Sequence, residues 1–120
     1  VPDPQSYETF QRSKLDWREI DKQPHASVLD WYRQLTALRR HHPDLSDPRP
    51  GSVTVEINEA EATITLRRGR ISVLVNLSSD NQGFGLASEA RILMSSADVV
   101  SGEPGHIVLP PESVTVIKAT

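Results

Sequence analysis

This sequence predicts a mainly β fold, a small antiparallel β-sandwich preceded by an irregular segment and one amphipathic α-helix. Three observations carry the prediction. From Ser52 onward the chain is rich in Val, Ile, Thr and Ser, with apolar and polar residues alternating between closely spaced turn residues, as antiparallel strands do. Between Ala26 and about Arg40 the apolar residues recur at spacings of three and four instead, the stripe of a helix that buries one face. Between them lies Asp47-Pro48-Arg49-Pro50-Gly51, whose two prolines and glycine end a helix and start a turn. The expected domains are therefore residues 1–48 and 49–120.

Residues 1–24 hold three prolines and no sustained period, so they read as irregular, with a helical turn near Glu8–Arg12. The helix that follows carries Val28, Leu29, Trp31, Tyr32, Leu35 and Leu38 on or beside its apolar stripe. Core packing explains Trp31 and Tyr32 better than a ligand platform does. Arg39, Arg40, His41 and His42 crowd its C-terminal end, where the helix dipole favours cations, and Pro43 stops it.

In the second part, Val53–Ile57 and Thr63–Arg67 alternate, and the polar stretch Asn58–Glu61 between them suits a hairpin connection. Arg68-Gly69-Arg70 is a tight turn into Ile71–Leu77, whose nearly unbroken apolar character predicts the most central strand. Ser78–Gly85 reads as a polar loop. Arg91–Ser95, Ile107–Leu109 and Ser113–Lys118 complete six strands, the last two joined across Pro110-Pro111. A core of this size without disulfide or metal is marginal by surface-to-volume scaling.

Composition excludes several classes. The 120 residues contain no cysteine, and 13 Lys and Arg against 16 Asp and Glu give a net charge of −3. That balance offers no broad positive field for nucleic acid or an anionic membrane. No apolar run approaches the roughly 18 residues of a spanning helix, and the first 25 residues are too polar for a secretory signal. A cytoplasmic protein is expected. The chain opens on Val1 and holds its one methionine at Met94, so it is expected to be a piece of something longer. Five of the six aromatic residues fall before residue 48 (Tyr7, Phe10, Trp17, Trp31, Tyr32), a density that calls for a partner surface.

Motifs that could carry chemistry have simpler explanations. His41 and His42 are adjacent and diverge on a helix, and His25 and His106 lack companions to complete a metal site. Asn76-Leu77-Ser78 matches a glycosylation acceptor but falls on a predicted central strand. Gly83-Phe84-Gly85 lacks the strand-to-helix setting of a phosphate loop. The basic tip Arg67–Arg70 is offset by Glu56, Glu59 and Glu61. No cofactor, no metal and no catalytic residue is expected within the chain.

Two stretches resemble a known family. Pro2-Asp3-Pro4-Gln5, Glu8-Thr9-Phe10 and Arg12-Ser13-Lys14-Leu15-Asp16-Trp17 resemble the segment that follows the catalytic barrel in malto-oligosyltrehalose trehalohydrolases. Leu29-Asp30-Trp31-Tyr32-Arg33, with Leu35, Leu38-Arg39-Arg40 and Pro43, resembles the last barrel helix of the wider α-amylase family. Arg68-Gly69, Val73-Leu74-Val75-Asn76-Leu77-Ser78 and Leu109-Pro110-Pro111-Glu112-Ser113 resemble that family's C-terminal β domain. The opening segment favours the trehalohydrolase branch; the helix and strands are generic.

The resemblance implies that residues 1–48 are the loop and last helix of a truncated (β/α)8 barrel, and that 49–120 are the C-terminal sandwich. The partner is then the missing barrel of the same polypeptide. The implied reaction is hydrolysis of the α-1,4 bond next to a terminal trehalose unit of a maltooligosaccharide, releasing trehalose, with two carboxylates that lie upstream of this chain. Sugar contacts at the barrel rim from Asp3, Gln5 or Trp17 are implied by their place in the last loop region. Severed from partners, residues 1–24 are expected to be poorly ordered or to pack non-natively. The alternatives are the same region of a branching enzyme or a maltose-forming hydrolase, or a free-standing carbohydrate-binding sandwich, for which residues 52–120 offer only Phe84 as an aromatic platform.

Overall fold

Alternation from Val53 onward becomes two antiparallel sheets in a computed structural model, which describes residues 2–87, 89–101 and 105–120. The chain divides into two compact units, Val1–Ala37 and Leu38–Thr120.

In the first unit, helix α1 (Tyr7–Arg12) begins where the Ser6 hydroxyl accepts the Glu8 amide, and Glu8 pairs with Arg12 one turn later at 3.0 Å. Asp16 caps a single 3-10 turn, Trp17–Glu19, by accepting the Arg18 amide. Helix α2 (His25–His41) carries the expected stripe, and its last residues, from Leu38, belong to the second unit. Leu29, Trp31, Leu35 and Leu38 are half-buried, and no α2 residue is fully buried. Tyr32 corrects the sequence reading: it lies about 100° around the helix from Trp31 and is 64% exposed, not part of a core.

The second unit holds eight strands among the described residues, two more than expected. They are β1 (Val53–Asn58), β2 (Thr63–Arg68), β3 (Ile71–Asn76), β4 (Gln82–Gly85), β5 (Ala90–Ser95), β6 (Val100–Ser101), β7 (His106–Leu109) and β8 (Ser113–Ala119). One sheet has the order β1-β2-β3-β8-β5 and the other β4-β7-β6. As predicted, β3 is central, pairing with β2 on one side and β8 on the other. The stretch Ser78–Gly85 is not wholly a loop. Gln82–Gly85 pairs with β7, setting Phe84 opposite Ile107; two glycines hide the strand from propensity reasoning.

The registers assign the faces. Pairs Leu74↔Thr115, Ser72↔Ile117 and Asn76↔Ser113 share one face of the larger sheet. On that face Leu74 and Ile117 form the core with Phe84, Ile107 and Leu109 from the smaller sheet. Each such side chain, fully withdrawn from water, contributes about 1.5–3 kcal/mol. Thr115 and Ser113 are also buried there, and are satisfied by Ser95 (Oγ···Oγ1 2.8 Å) and the Pro110 carbonyl (2.6 Å) respectively. The opposite face carries Ile71, Val73, Val75, Val114 and Val116, with Met94 opposite Val116 after a bulge in β5.

Candidate functional site

Candidate residues in the first unit sit on its surface. The Asp3 carboxylate accepts the Gln5 amide at 2.9 Å, and its carbonyl accepts the Ser6 amide at 3.1 Å, so Asp3 and Gln5 share one turn leading into α1. Trp17 opens a separate turn and is 73% exposed. Between them in sequence, Tyr7 and Phe10 pack ring to ring at 6.1 Å, and Lys14 Nζ lies 4.8 Å from the Phe10 centroid. These rings are exposed rather than buried, with Tyr7 at 74% and Phe10 at 55%.

In the second unit the smaller sheet covers β3 and β8 but leaves much of β1 and β2 open. The result is a trough of about 390 Å³. Its floor is Leu74, Phe84 and Ile117, and its walls include Thr65, Ser72 and the Glu56–Arg67 ion pair. The pair confirms that Glu56 offsets the basic tip. Glu61 is turned to Asn58, whose side-chain amide donates to it at 2.8 Å.

Hydrolysis of a glycosidic bond needs one carboxyl kept protonated, with its pKa raised. The shifted carboxyls here move the opposite way. Side-chain hydrogen bonds from Arg18 hold Asp16 below the usual value, and those from Arg49 bring Asp47 down to about 2. Among the described residues no group of three His, Cys, Asp or Glu could hold a metal ion.

Asn76 has the most connected side chain of the unit. It is fully buried, and its amide donates to the carbonyls of Asp80 (2.8 Å), Leu109 (3.2 Å) and Pro110 (2.8 Å), while its oxygen accepts the Ser78 amide and hydroxyl. An oligosaccharide has no access to it, so the Asn76-Leu77-Ser78 match is structural. Separately, one latch joins Asp44 to the β2–β3 turn: Asp44 Oδ2 accepts the Arg70 amide at 3.1 Å. Arg68 Nη2 donates to the Asp47 carbonyl beside it. Neither latch is visible in local sequence, since each joins residues more than twenty positions apart.

This arrangement, a five-stranded sheet backed by three short strands, is that of the C-terminal β domain of α-amylase-type enzymes. Trehalulose synthase from Pseudomonas mesoacidophila MX-45 superposes with a TM-score of 0.57 at 22% identity, over 76% of this chain and 17% of that one. A mutant of that synthase in complex with Tris gives 0.59 at 22%, over 84% and 19%. These likenesses show the fold. In sequence, the malto-oligosyltrehalose trehalohydrolase of Brevibacterium helvolum is 42% identical over 99% of this chain, and that of Rhizobium sp. (strain M-11) 36% identical over 98%. The corresponding enzyme of Arthrobacter ramosus is 35% identical over 88%. The chain is homologous to the C-terminal region of malto-oligosyltrehalose trehalohydrolases. It spans 20% of the length of the first two relatives. No family model matches it.

Proposed function

We propose that this chain is the C-terminal, non-catalytic region of a malto-oligosyltrehalose trehalohydrolase. The parent hydrolyses the α-1,4 bond next to the terminal trehalose unit of a maltooligosaccharide and releases trehalose. The observation that carries this reading is identity of 42% spread over 99% of the chain, opening segment included. In this reading residues 1–48 supply the last loop and helix of the catalytic barrel, and residues 49–120 form a β domain that shields it. Asp3, Gln5 and Trp17 touch sugar at the barrel rim; the exposure of Trp17 leaves its ring free to do so. The parent works in the cytoplasm. Among the described residues no helix is long and apolar enough to cross a membrane.

The gene provides the test. The coding sequence ahead of Val1 is expected to encode an eight-stranded barrel with two carboxylates at strand ends. A start codon immediately before Val1, with no barrel upstream, would overturn the proposal.

A further inference from the structure

The inner face of a sandwich sheet is ordinarily apolar, because the second sheet packs on it. Over β1, β2 and the start of β3 it is not. Register places Glu56 opposite Thr65 and Thr65 opposite Leu74, Asn58 opposite Thr63, and Arg67 opposite Ser72, so these side chains share the face that elsewhere carries the core. Thr63 is 8% exposed, and Thr65 and Ser72 are half-buried. Among the described residues, none of these three hydroxyls has a hydrogen-bond partner. Polar groups so far withdrawn from water take a partner from outside the fold when the fold supplies none. The smaller sheet adds a second set of free groups. The Leu86 amide donates to the Gly105 carbonyl, so by alternation the backbone groups of Gly83 and Gly85 point away from β7, toward the unpaired edge of β4. Both glycines line the trough.

We infer that the trough bounded by β2, β3 and the free edge of β4 binds a short, uncharged oligosaccharide. A sugar ring has apolar C–H faces and a rim of hydroxyls, each both donor and acceptor. The trough presents the complement: a floor of Leu74, Phe84 and Ile117, and walls of unpaired hydroxyls and strand-edge amides and carbonyls. Charge selects against other ligands. The lining holds two carboxylates, Glu56 and Glu61, and two guanidinium groups, Arg67 and Arg70, so it has no net charge to attract an ion. Glu56 and Arg67 also pair with each other, and Arg70 donates to the Ala119 carbonyl at 3.0 Å. The volume of about 390 Å³ falls within the ~300–1,000 Å³ of ligand pockets. That the sugar is a maltooligosaccharide rests on the proposed function, whose parent acts on such a chain. The site adds to that function a hold on glucan within the β domain that bond cleavage itself does not require.

The test is an NMR titration of the 120-residue chain with maltotriose, read at backbone amides and methyl groups. Saturable shifts are expected at Thr63, Thr65, Ser72, Leu74 and Gly83–Gly85, with a Kd on the order of 1 mM, as suits so small a contact. Inorganic phosphate is expected to move none of them. Thr65→Val combined with Ser72→Ala removes two hydroxyls that no protein group uses. This double variant is expected to keep the melting temperature and to bind maltotriose about tenfold more weakly. Thr54→Val, on the same face but outside the trough, is expected to bind as the unsubstituted chain does. The absence of saturable shifts, shifts confined to other residues, unchanged affinity in the double variant, or phosphate binding at the same residues would each overturn the inference. The shifts of the unsubstituted chain locate the site by themselves, so the result does not depend on the variant folding. Failure of the proposed function is read separately. A full-length polypeptide that yields no trehalose, beside a 120-residue chain that still binds maltotriose in the trough, refutes the enzyme assignment and leaves the site standing; the reverse pair of results does the opposite.

Discussion

Asp44 and Gly69 are in such close approach that a Cβ built on Gly69 would lie 2.6 Å from the Asp44 carboxyl carbon. Gly69 also has φ +58°, in the left-handed region where a side chain is strained. Gly69→Ala therefore meets two penalties, backbone strain of about 1–2 kcal/mol and a clash that pushes Asp44 off the Arg70 amide. Urea unfolding is expected to show a loss of about 2 kcal/mol or more. In an Asp44→Ala background, the clash disappears and the further loss caused by Gly69→Ala is expected to shrink.

Asn76 ties β3 to the loop that follows it and to the turn between β7 and β8. Asn76→Ala would leave three carbonyls and Ser78 without this partner in a buried site. The expected destabilisation is about 3 kcal/mol, read from thermal or urea unfolding. Asn76→Asp keeps the shape but turns a donor into an acceptor facing those carbonyls, and is expected to be at least as damaging near neutral pH. Tolerance of both variants would refute the role given to this side chain.

Asp47 titrates at about 2 because Arg49 donates to it through backbone and side chain. Its unfolded value is about 3.9. The folded pKa is the lower one, so the stability this pair contributes is present above about pH 4 and is lost as pH falls through about 2. Asp47→Asn is expected to flatten the change in urea midpoint across that window, by a small amount because Arg49 is exposed. Carboxyl NMR titration measures the shift directly, and a value near 4 would refute it.

Residues 1–24 are mostly exposed, and α1 has only six residues, none buried. Local opening there is inexpensive. Hydrogen exchange on the 120-residue chain is expected to find weak protection in 1–24 and strong protection in β3 and β8. Uniformly high protection across 1–24 would contradict the idea that their partner surface lies elsewhere.

What the sequence revealed depended on how local each signal was. Alternation sufficed for β1, β2 and β8, and spacing of three and four for α2, because pleat and helical turn impose those periods directly. β4 was hidden because Gly83 and Gly85 flank Phe84 and mimic a loop; only pairing with β7, more than twenty residues later, makes it a strand. The Asn76 network failed to show for the same reason, since two of its acceptors, Leu109 and Pro110, lie over thirty residues away. Of the candidate sugar contacts, Asp3 and Gln5 prove to share a turn, and Trp17 stands on another.

Trehalose released from maltooligosyltrehalose, measured for the 120-residue chain and for the full-length polypeptide side by side, tests the assignment most directly. The full-length enzyme is expected to liberate trehalose and the 120-residue chain none, at any concentration. Release by the short chain alone, or none by the full-length protein, would contradict it.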